Sequence, residues 1–375
     1  VYAINSVYTI TNSAWGSLIS YSYPGSIRSS VVMPESSETF EVGTAINLFA
    51  NRASLDLSYY SKRMFDGLTW GGISSASGFT SNYVNTEEEV TRRGVEITAN
   101  VTPVKTTDWQ WDVSVNWSKY ARYYTQLDPQ YSEDKPWVKV GERYDAYVLY
   151  DYLRDPDGNI IHNAGKPLYS DYTSKFGYSD PDWIWGLNTS LKYKNFQLSI
   201  SMDGRVGGLT QTITEMYMWR AGSHPNSVVN ERYLDATVGG SNYIGDGVKI
   251  VSGTATYDTY GNITSDTRVY APNDIATTYE TYINTLHKGT AWGGAASPID
   301  VYSTTFLKIR EMSLTYSLPK SICEKFYTKA VSVSAVGQNI FLWSKQFKYS
   351  DPDGGYDNFS DPSIRYVGFN LKVGF

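Results

Sequence analysis

The chain closes on a run whose polarity alternates at every residue. Val367, Phe369, Leu371, Val373 and Phe375 fall on one face of an extended segment, and Tyr366, Gly368, Asn370, Lys372 and Gly374 fall on the other. A period of two with one apolar face describes a strand that meets an apolar medium on one side only. The final residue is aromatic. Two settings fit such a strand: a soluble β-sandwich, or a β-barrel whose outer face meets lipid.

The remainder of the sequence separates these settings. No apolar run reaches the ~18 residues that a spanning helix needs, but a barrel strand alternates and keeps average hydropathy low. Aromatic residues make up 15%, with 33 Tyr and 11 Trp, which suits interfacial belts in a bilayer or carbohydrate-binding surfaces. The net charge of -6 lacks the basic field that nucleic acid or an anionic membrane surface requires. Cys323 is the single cysteine, so an intrachain disulfide is excluded. His162, His224 and His287 stand far apart in loop-like contexts and do not spell a zinc site.

Strands come in pairs, with short turns at one end and long connections at the other. Val42, Thr44, Ile46 and Leu48 alternate, the chain turns at Phe49–Arg52, and Ala53, Leu55, Leu57 and Tyr59 return. Val95, Ile97, Ala99 and Val101 precede a turn at Pro103–Thr107. Trp109, Trp111, Val113, Val115 and Trp117 then oppose Gln110, Asp112, Ser114, Asn116 and Ser118. Tryptophans near both ends of an apolar face suit the two interfaces of a bilayer. Trp185–Tyr193 and Phe196–Met202 flank a tight turn at Lys194-Asn195. Met312–Leu318 and Val331–Ala335 precede the final strand, which a loop from Phe341 to Ser363 leads into. About ten strands are expected, one or two of them before Pro24. The long connections are placed at about 61–89, 120–182 and 204–303, with a helix expected near Leu209–Ala221. A structureless connection of the last length is rare in a compact soluble domain and ordinary on the outer side of a membrane barrel.

Several segments then resemble one family. Met33-Pro34-Glu35, Glu41-Val42-Gly43, Asn51-Arg52 and Tyr59-Tyr60 come first. Tyr178–Gly186 and Tyr193–Phe196 follow. Phe306-Leu307-Lys308-Ile309-Arg310, Leu314–Pro319, Gly337–Phe341 and Asp351-Pro352-Asp353 complete the set. In this order they resemble the barrel of SusC/RagA-like TonB-dependent transporters. The resemblance implies an all-β chain: an antiparallel transmembrane β-barrel portion of about ten strands, out of ~22 in a full transporter barrel. Residues 1–375 read as the carboxy-terminal part of that barrel, with plug domain and TonB box outside this sequence. It further implies a bacterial outer-membrane location, active import of an oligosaccharide or oligopeptide, a SusD-like surface lipoprotein and TonB as partners, and Phe369, Leu371, Val373 and Phe375 as the barrel assembly signal. Outer-membrane lipid is a partner of the apolar face, and nucleic acid is not a partner.

Enzymatic motifs are missing: the sequence has no G-x-S-x-G, H-E-x-x-H, P-loop or G-x-G-x-x-G. Tyr217, Trp219, Arg220 and Trp292 lie in the longest connection and are the candidate substrate contacts, since exposed aromatics stack on rings; packing within the loop is the alternative. Asp351, Asp353 and Asp357 are weak candidates for a calcium ion, the single cofactor considered, and Asp155–Asn159 reads as a plain turn. The polar rows Gln110-Asp112-Asn116 and Asn188-Ser190-Lys192 are expected to face a lumen. Active import leads. A secreted or surface glycan-binding or glycan-cleaving β-protein, and a passive porin or adhesin, are the alternatives.

Overall fold

A computed structural model describes residues 9–15, 18–22, 24–29, 31–288, 296–354, 357 and 363–375. Nine long strands form one sheet. They are β1 (Ser36–Leu48), β2 (Ala53–Phe65), β3 (Glu89–Lys105), β4 (Trp109–Gln126), β5 (Pro181–Tyr193), β6 (Phe196–Gly207), β7 (Phe306–Ser317), β8 (Ala330–Ser344) and β9 (Tyr366–Gly374). Their order across the sheet is their order in the chain. This up-and-down succession is how antiparallel barrels are wound.

Three of the four connections at one end are tight. Phe49, Ala50 and Asn51 take φ of 54°, 54° and 64° between β1 and β2, and Lys194 takes 50° between β5 and β6. These left-handed values let the chain reverse in few residues. The fourth connection carries helix α4 (Lys320–Lys325), where a bare turn at Pro319 was expected. The connections at the other end are long and folded in their own right. Residues expected to lack strands hold short ones at Leu209–Gln211, Val248–Ser252, Ala255–Tyr257, Ile263–Asp266, Val269–Pro272 and Val301–Ser303. Between them lie helices α1 (Ile213–Arg220), α2 (Asn230–Thr237) and α3 (Tyr279–Leu286). These strands are three to five residues long, too short for alternation to reveal them.

The register explains the alternation. Successive cross-strand partners place Trp111, Leu191, Leu198, Leu314, Ala335 and Phe369 in one row across β4 to β9. The neighbouring row on the opposite face reads Asp112, Ser190, Ser199 and Ser313. The apolar row is bare: Trp111 is 40% exposed, Leu314 50% and Phe369 85%. An apolar face of that extent is a liability in water and fits hydrocarbon. Its ends are aromatic. Trp109, Tyr193, Phe196 and Tyr316 form the row nearest the tight turns, with Trp109 and Tyr193 4.2 Å apart and Phe196 and Tyr316 4.7 Å apart. Trp117 pairs with Trp185 towards the other end. From Trp109 to Trp117 the strand rises about 27 Å, or roughly 20 Å along the membrane normal at a ~40° tilt. The two aromatic rows therefore bracket an apolar band of nearly the ~25 Å height of outer-membrane barrels.

One extra residue breaks this regularity. Ser201 pairs with Glu311 and Met202 with Ile309, so Arg310 is a bulge in β7. On the β8 side Ile309 pairs with Phe341 and Glu311 with Gln338, and Asn339 absorbs the mismatch with φ 50°. A bulge shifts side-chain parity by one. The strand thus begins at Phe306 rather than Met312, and β8 runs on to Ser344 rather than ending at Phe341.

The chain divides into two compact units. In the first (Val1–Thr44, Ser58–Val95, Tyr120–Tyr144), Val90, Tyr124 and Val138 form a small core with Met64, Leu127 and Trp137. Asp128 accepts the backbone N–H of Glu87, Gln130 and Tyr131. Those bonds hold its carboxyl below the usual range against the opposing effect of burial, the largest single influence. The second unit (Ala45–Leu57, Glu96–Lys119, Asp145–Phe375) holds the candidate site. There α3 buries Tyr279, Tyr282 and Ile283 against Trp219, Val229, Tyr243 and Leu286.

Candidate functional site

Two clusters stand out in the second unit. The first lies on the polar face of the sheet beside the bulge. Parity puts Lys308 and Phe306 opposite Asp203 and Arg205. Lys308 is 1% exposed. Its Nζ donates to Asp351 Oδ2 at 2.6 Å, to Ser363 Oγ at 2.5 Å and to Asp353 Oδ2 at 3.4 Å. The bulged Arg310 grips Asp203 with two N–H groups, at 2.5 and 2.7 Å, and also donates to Asp353. Arg205 donates to the Pro352 carbonyl at 2.5 Å. Two of the sequence segments quoted above, Phe306–Arg310 and Asp351–Asp353, are therefore physical partners: three cations on β6 and β7 clasp the β8–β9 connection.

The carboxyls respond accordingly. Hydrogen bonding from Arg310 holds Asp353 below the ordinary range. Burial pushes Asp351 up, but the bonds from Lys308 and Ser363 outweigh it and leave Asp351 lowered. Asp357 lies farther along, accepting from Thr212 Oγ1 at 3.0 Å and from both N–H and hydroxyl of Thr214. The three aspartates weighed for calcium are thus engaged with cations and hydroxyls. Asp155 likewise accepts the Asn159 N–H and amide at 2.8 and 2.9 Å, a turn as expected.

The expected lumen rows line grooves on the polar face. A cavity of about 460 Å³ is lined by Ser54, Asn100, Asp112, Ser114, Asn188 and Ser190, among others. A second of about 570 Å³ is bordered by Thr98, Asn116, Asp203, Arg205 and Asp353.

The second cluster lies in the β6–β7 connection. Glu215 and Trp219 stand one helical turn apart on α1, so both face the same way. The Trp219 indole lies nearly parallel to the imidazoles of His224 and His287, with centroids 4.0 and 5.3 Å away. His224 Nε2 bonds Glu215 Oε1 at 3.2 Å, while its Nδ1 accepts the Asn226 N–H. His287 Nδ1 donates to Asp300 Oδ1 at 2.6 Å. Asp300 is 2% exposed and its Oδ2 has no hydrogen-bond partner. Burial pushes its carboxyl up, against the pull of His287. A cavity of about 240 Å³ opens beside these groups, bounded also by Tyr302, Lys348 and Tyr349.

Of the sequence candidates, Trp219 lines this cavity. Tyr217 packs on Ile213 and Met216. Arg220 stacks over Tyr217 and bonds Asn284 at 3.2 Å. Trp292 lies outside the described residues. Phe369, Leu371, Val373 and Phe375 are exposed together at the end of the sheet. His224 and His287 stand far apart in the sequence. They meet because α1 and α3 pack together, a contact that sequence spacing does not disclose; the turn-spaced Glu215 and Trp219 were the one local sign.

The fold and these rows agree with comparisons to known proteins. The family model "TonB dependent receptor-like, beta-barrel" matches residues 7–146. TonB-dependent receptor P3 of Formosa agariphila is 22% identical over 356 residues, covering 86% of this chain and 31% of its own. TonB-dependent receptor SusC of Bacteroides thetaiotaomicron is 23% identical over 190 residues, 45% of this chain and 19% of its own. The solved structure of the RagAB peptide importer in its open-open state superposes with a TM-score of 0.65 at 17% identity, over 100% of this chain and 38% of that one. The chain is similar to the barrel of SusC/RagA-like TonB-dependent receptors. It is an outer-membrane β-barrel protein, and the family it resembles is a receptor family rather than an enzyme class. The chain spans about a third of the length of the first curated relatives it matches. In a SusC/RagA-like barrel the bare apolar rows are the lipid face, and the polar rows with their grooves are the lumen wall.

Proposed function

We propose that this chain belongs to an active importer of the outer membrane. It would carry an oligosaccharide or oligopeptide inward under TonB drive, with a SusD-like lipoprotein at the cell surface. The observation that carries this reading is the union of a lipid-matched outer face, a polar lumen wall with grooves, and large folded connections at the end opposite the short turns. A passive pore needs a wall but no large ligand-contacting superstructure. Its relatives support the reading, since one is the RagAB peptide importer and another is TonB-dependent receptor SusC. Asp351, Asp353 and Asp357 are not offered as calcium ligands, because Lys308, Arg310 and threonine hydroxyls already hold them.

The test is uptake by intact cells expressing the full-length protein. Accumulation of labelled oligosaccharides or oligopeptides should cease when TonB is deleted or the proton gradient is collapsed. Replacing residues 230–273 by a short linker should leave the barrel assembled and lower uptake. Uptake that continues unchanged without TonB would sink the importer reading and favour a passive pore.

A further inference from the structure

The His287 cavity has a property that the import reading does not use. Its hydrogen bonds fix what each group can offer. In the neutral tautomer that gives its Nδ1 proton to Asp300, 2.6 Å away, His287 presents Nε2 as an acceptor. The side chain is 3% exposed, lines the cavity, and its Nε2 has no partner among the described residues. Glu215 adds a carboxylate that is 8% exposed, bonded to His224 and to Tyr302. Behind His287, Asp300 holds a second buried carboxylate with one free oxygen. The walls are the rings of Trp219, Tyr302 and Tyr349. His224 contributes nothing more, because both of its nitrogens are engaged.

An acceptor nitrogen and a carboxylate inside an aromatic enclosure match a group with only donors and a positive charge. We propose that this cavity binds a protonated primary amine. The ammonium would donate to His287 Nε2 and Glu215 and rest against the tyrosine rings, and about 240 Å³ admits an alkylammonium chain but not a whole oligomer. Among nearby positive charges, Lys288 follows His287 and holds its Nζ over the Tyr169 ring. Arg220 is occupied by Asn284 and Tyr217. Lys348 is exposed and lies on the lining, where its charge opposes the ligand. This makes the inference asymmetric and testable: removing Lys348 should strengthen binding, whereas removing Glu215 should weaken it. The inference deepens the import reading by giving the cargo a chemical handle. The amine could come from a lysine side chain or from an amino sugar.

The experiment is calorimetric titration of the full-length transporter, purified in detergent with its native partners. The probes are an end-blocked Gly-Lys-Gly peptide and a glucosamine disaccharide, each beside its N-acetylated form. Free-amine probes should bind and acetylated ones should not; the stronger of the two identifies the source. E215Q and H287Q should each weaken the free-amine probe by about tenfold, and K348A should tighten it by about twofold to threefold. Heat-modifiable mobility reports whether each variant folds, and Y349A, at an exposed wall, should weaken the probe if E215Q does not fold. Equal binding of free and acetylated probes, no binding of either amine, or a K348A variant that binds more weakly would overturn the proposal. TonB-dependent uptake of an amine-free oligomer separates the two readings: its persistence leaves import standing when the amine site fails.

Discussion

Lys308→Met is the perturbation that most directly tests the clasp on the lumen wall. Methionine matches the length of the lysine stem and keeps β7 intact, but it removes the donor to Asp351, Ser363 and Asp353. Asp353 keeps Arg310. Asp351 loses its hydrogen-bonded cation and keeps the field of Arg205 and the Asp353 N–H, and its side chain is 9% exposed. Breaking a buried pair on one side costs about 3–5 kcal/mol because the remaining charge stays desolvated. The cost falls on the docked loop, since β6, β7 and β8 retain their backbone bonds. Undocking should therefore precede barrel unfolding. Amide hydrogen exchange at 351–354 should quicken by about a hundredfold or more, given ~1.4 kcal/mol per tenfold, while β7 stays protected. Adding Asp351→Asn should recover part of the loss, because an amide is cheaper to bury than a lone carboxylate. The pH dependence has a fixed sign. Both Asp351 and Asp353 are lowered in the folded state, so their stabilisation is present above the ordinary carboxylate range near pH 4 and is lost as pH falls through their folded values. Wild-type exchange at 351–354 in Lys308→Met, or exchange that is insensitive to acid, would refute the clasp.

Three further outcomes follow from the same geometry. Val113→Arg, on the lipid face between Trp111 and Val115, should cost ~2–4 kcal/mol at mid-bilayer and reduce assembly as read by heat-modifiable mobility; Ser114→Arg, on the polar face, should be tolerated better. Gly204→Val should destabilise the sheet by roughly 1–3 kcal/mol, measured by urea denaturation in detergent, because a Cβ there lies 2.4 Å from the Phe306 carbonyl and 2.9 Å from Trp185 Nε1. Asp235→Ala should loosen α3, since Asp235 Oδ2 accepts the Tyr279 N–H at 2.7 Å; proteolysis within the β6–β7 connection should speed up while the sheet is unaffected.

The sheet was legible in the sequence wherever a strand has one apolar and one polar face. β4, β5, β6 and β9 show this, and their rows meet in the register that alternation implies. Legibility failed at Phe306–Glu311, where one bulged arginine resets the parity and Lys308 reads as though it pointed to lipid. It failed again in β2 beyond Tyr60 and in β4 beyond Lys119, where polar or charged residues occupy both faces while the strands run on to Phe65 and Gln126. The cavity was less visible still. Its histidines are separated by most of the connection, and only packing of α1 on α3 unites them. Trp219 was found for its exposed-loop context, yet the structure gives it neighbours of a different kind, two imidazoles and their carboxylates.

The bulge at Arg310 makes β7 behave like a text read in two phases. Below it, odd and even positions carry one meaning; above it, the meanings are exchanged. Drawing Arg310 into the regular ladder opposite Met202 would act as a frameshift in space, sending Lys308 and Phe306 outward and Leu307 and Ile309 inward, whereas deleting Arg310 would straighten the strand and leave both faces as they are. The two faces of β7 therefore depend on Arg310 staying out of the ladder, not only on the residues to either side of it.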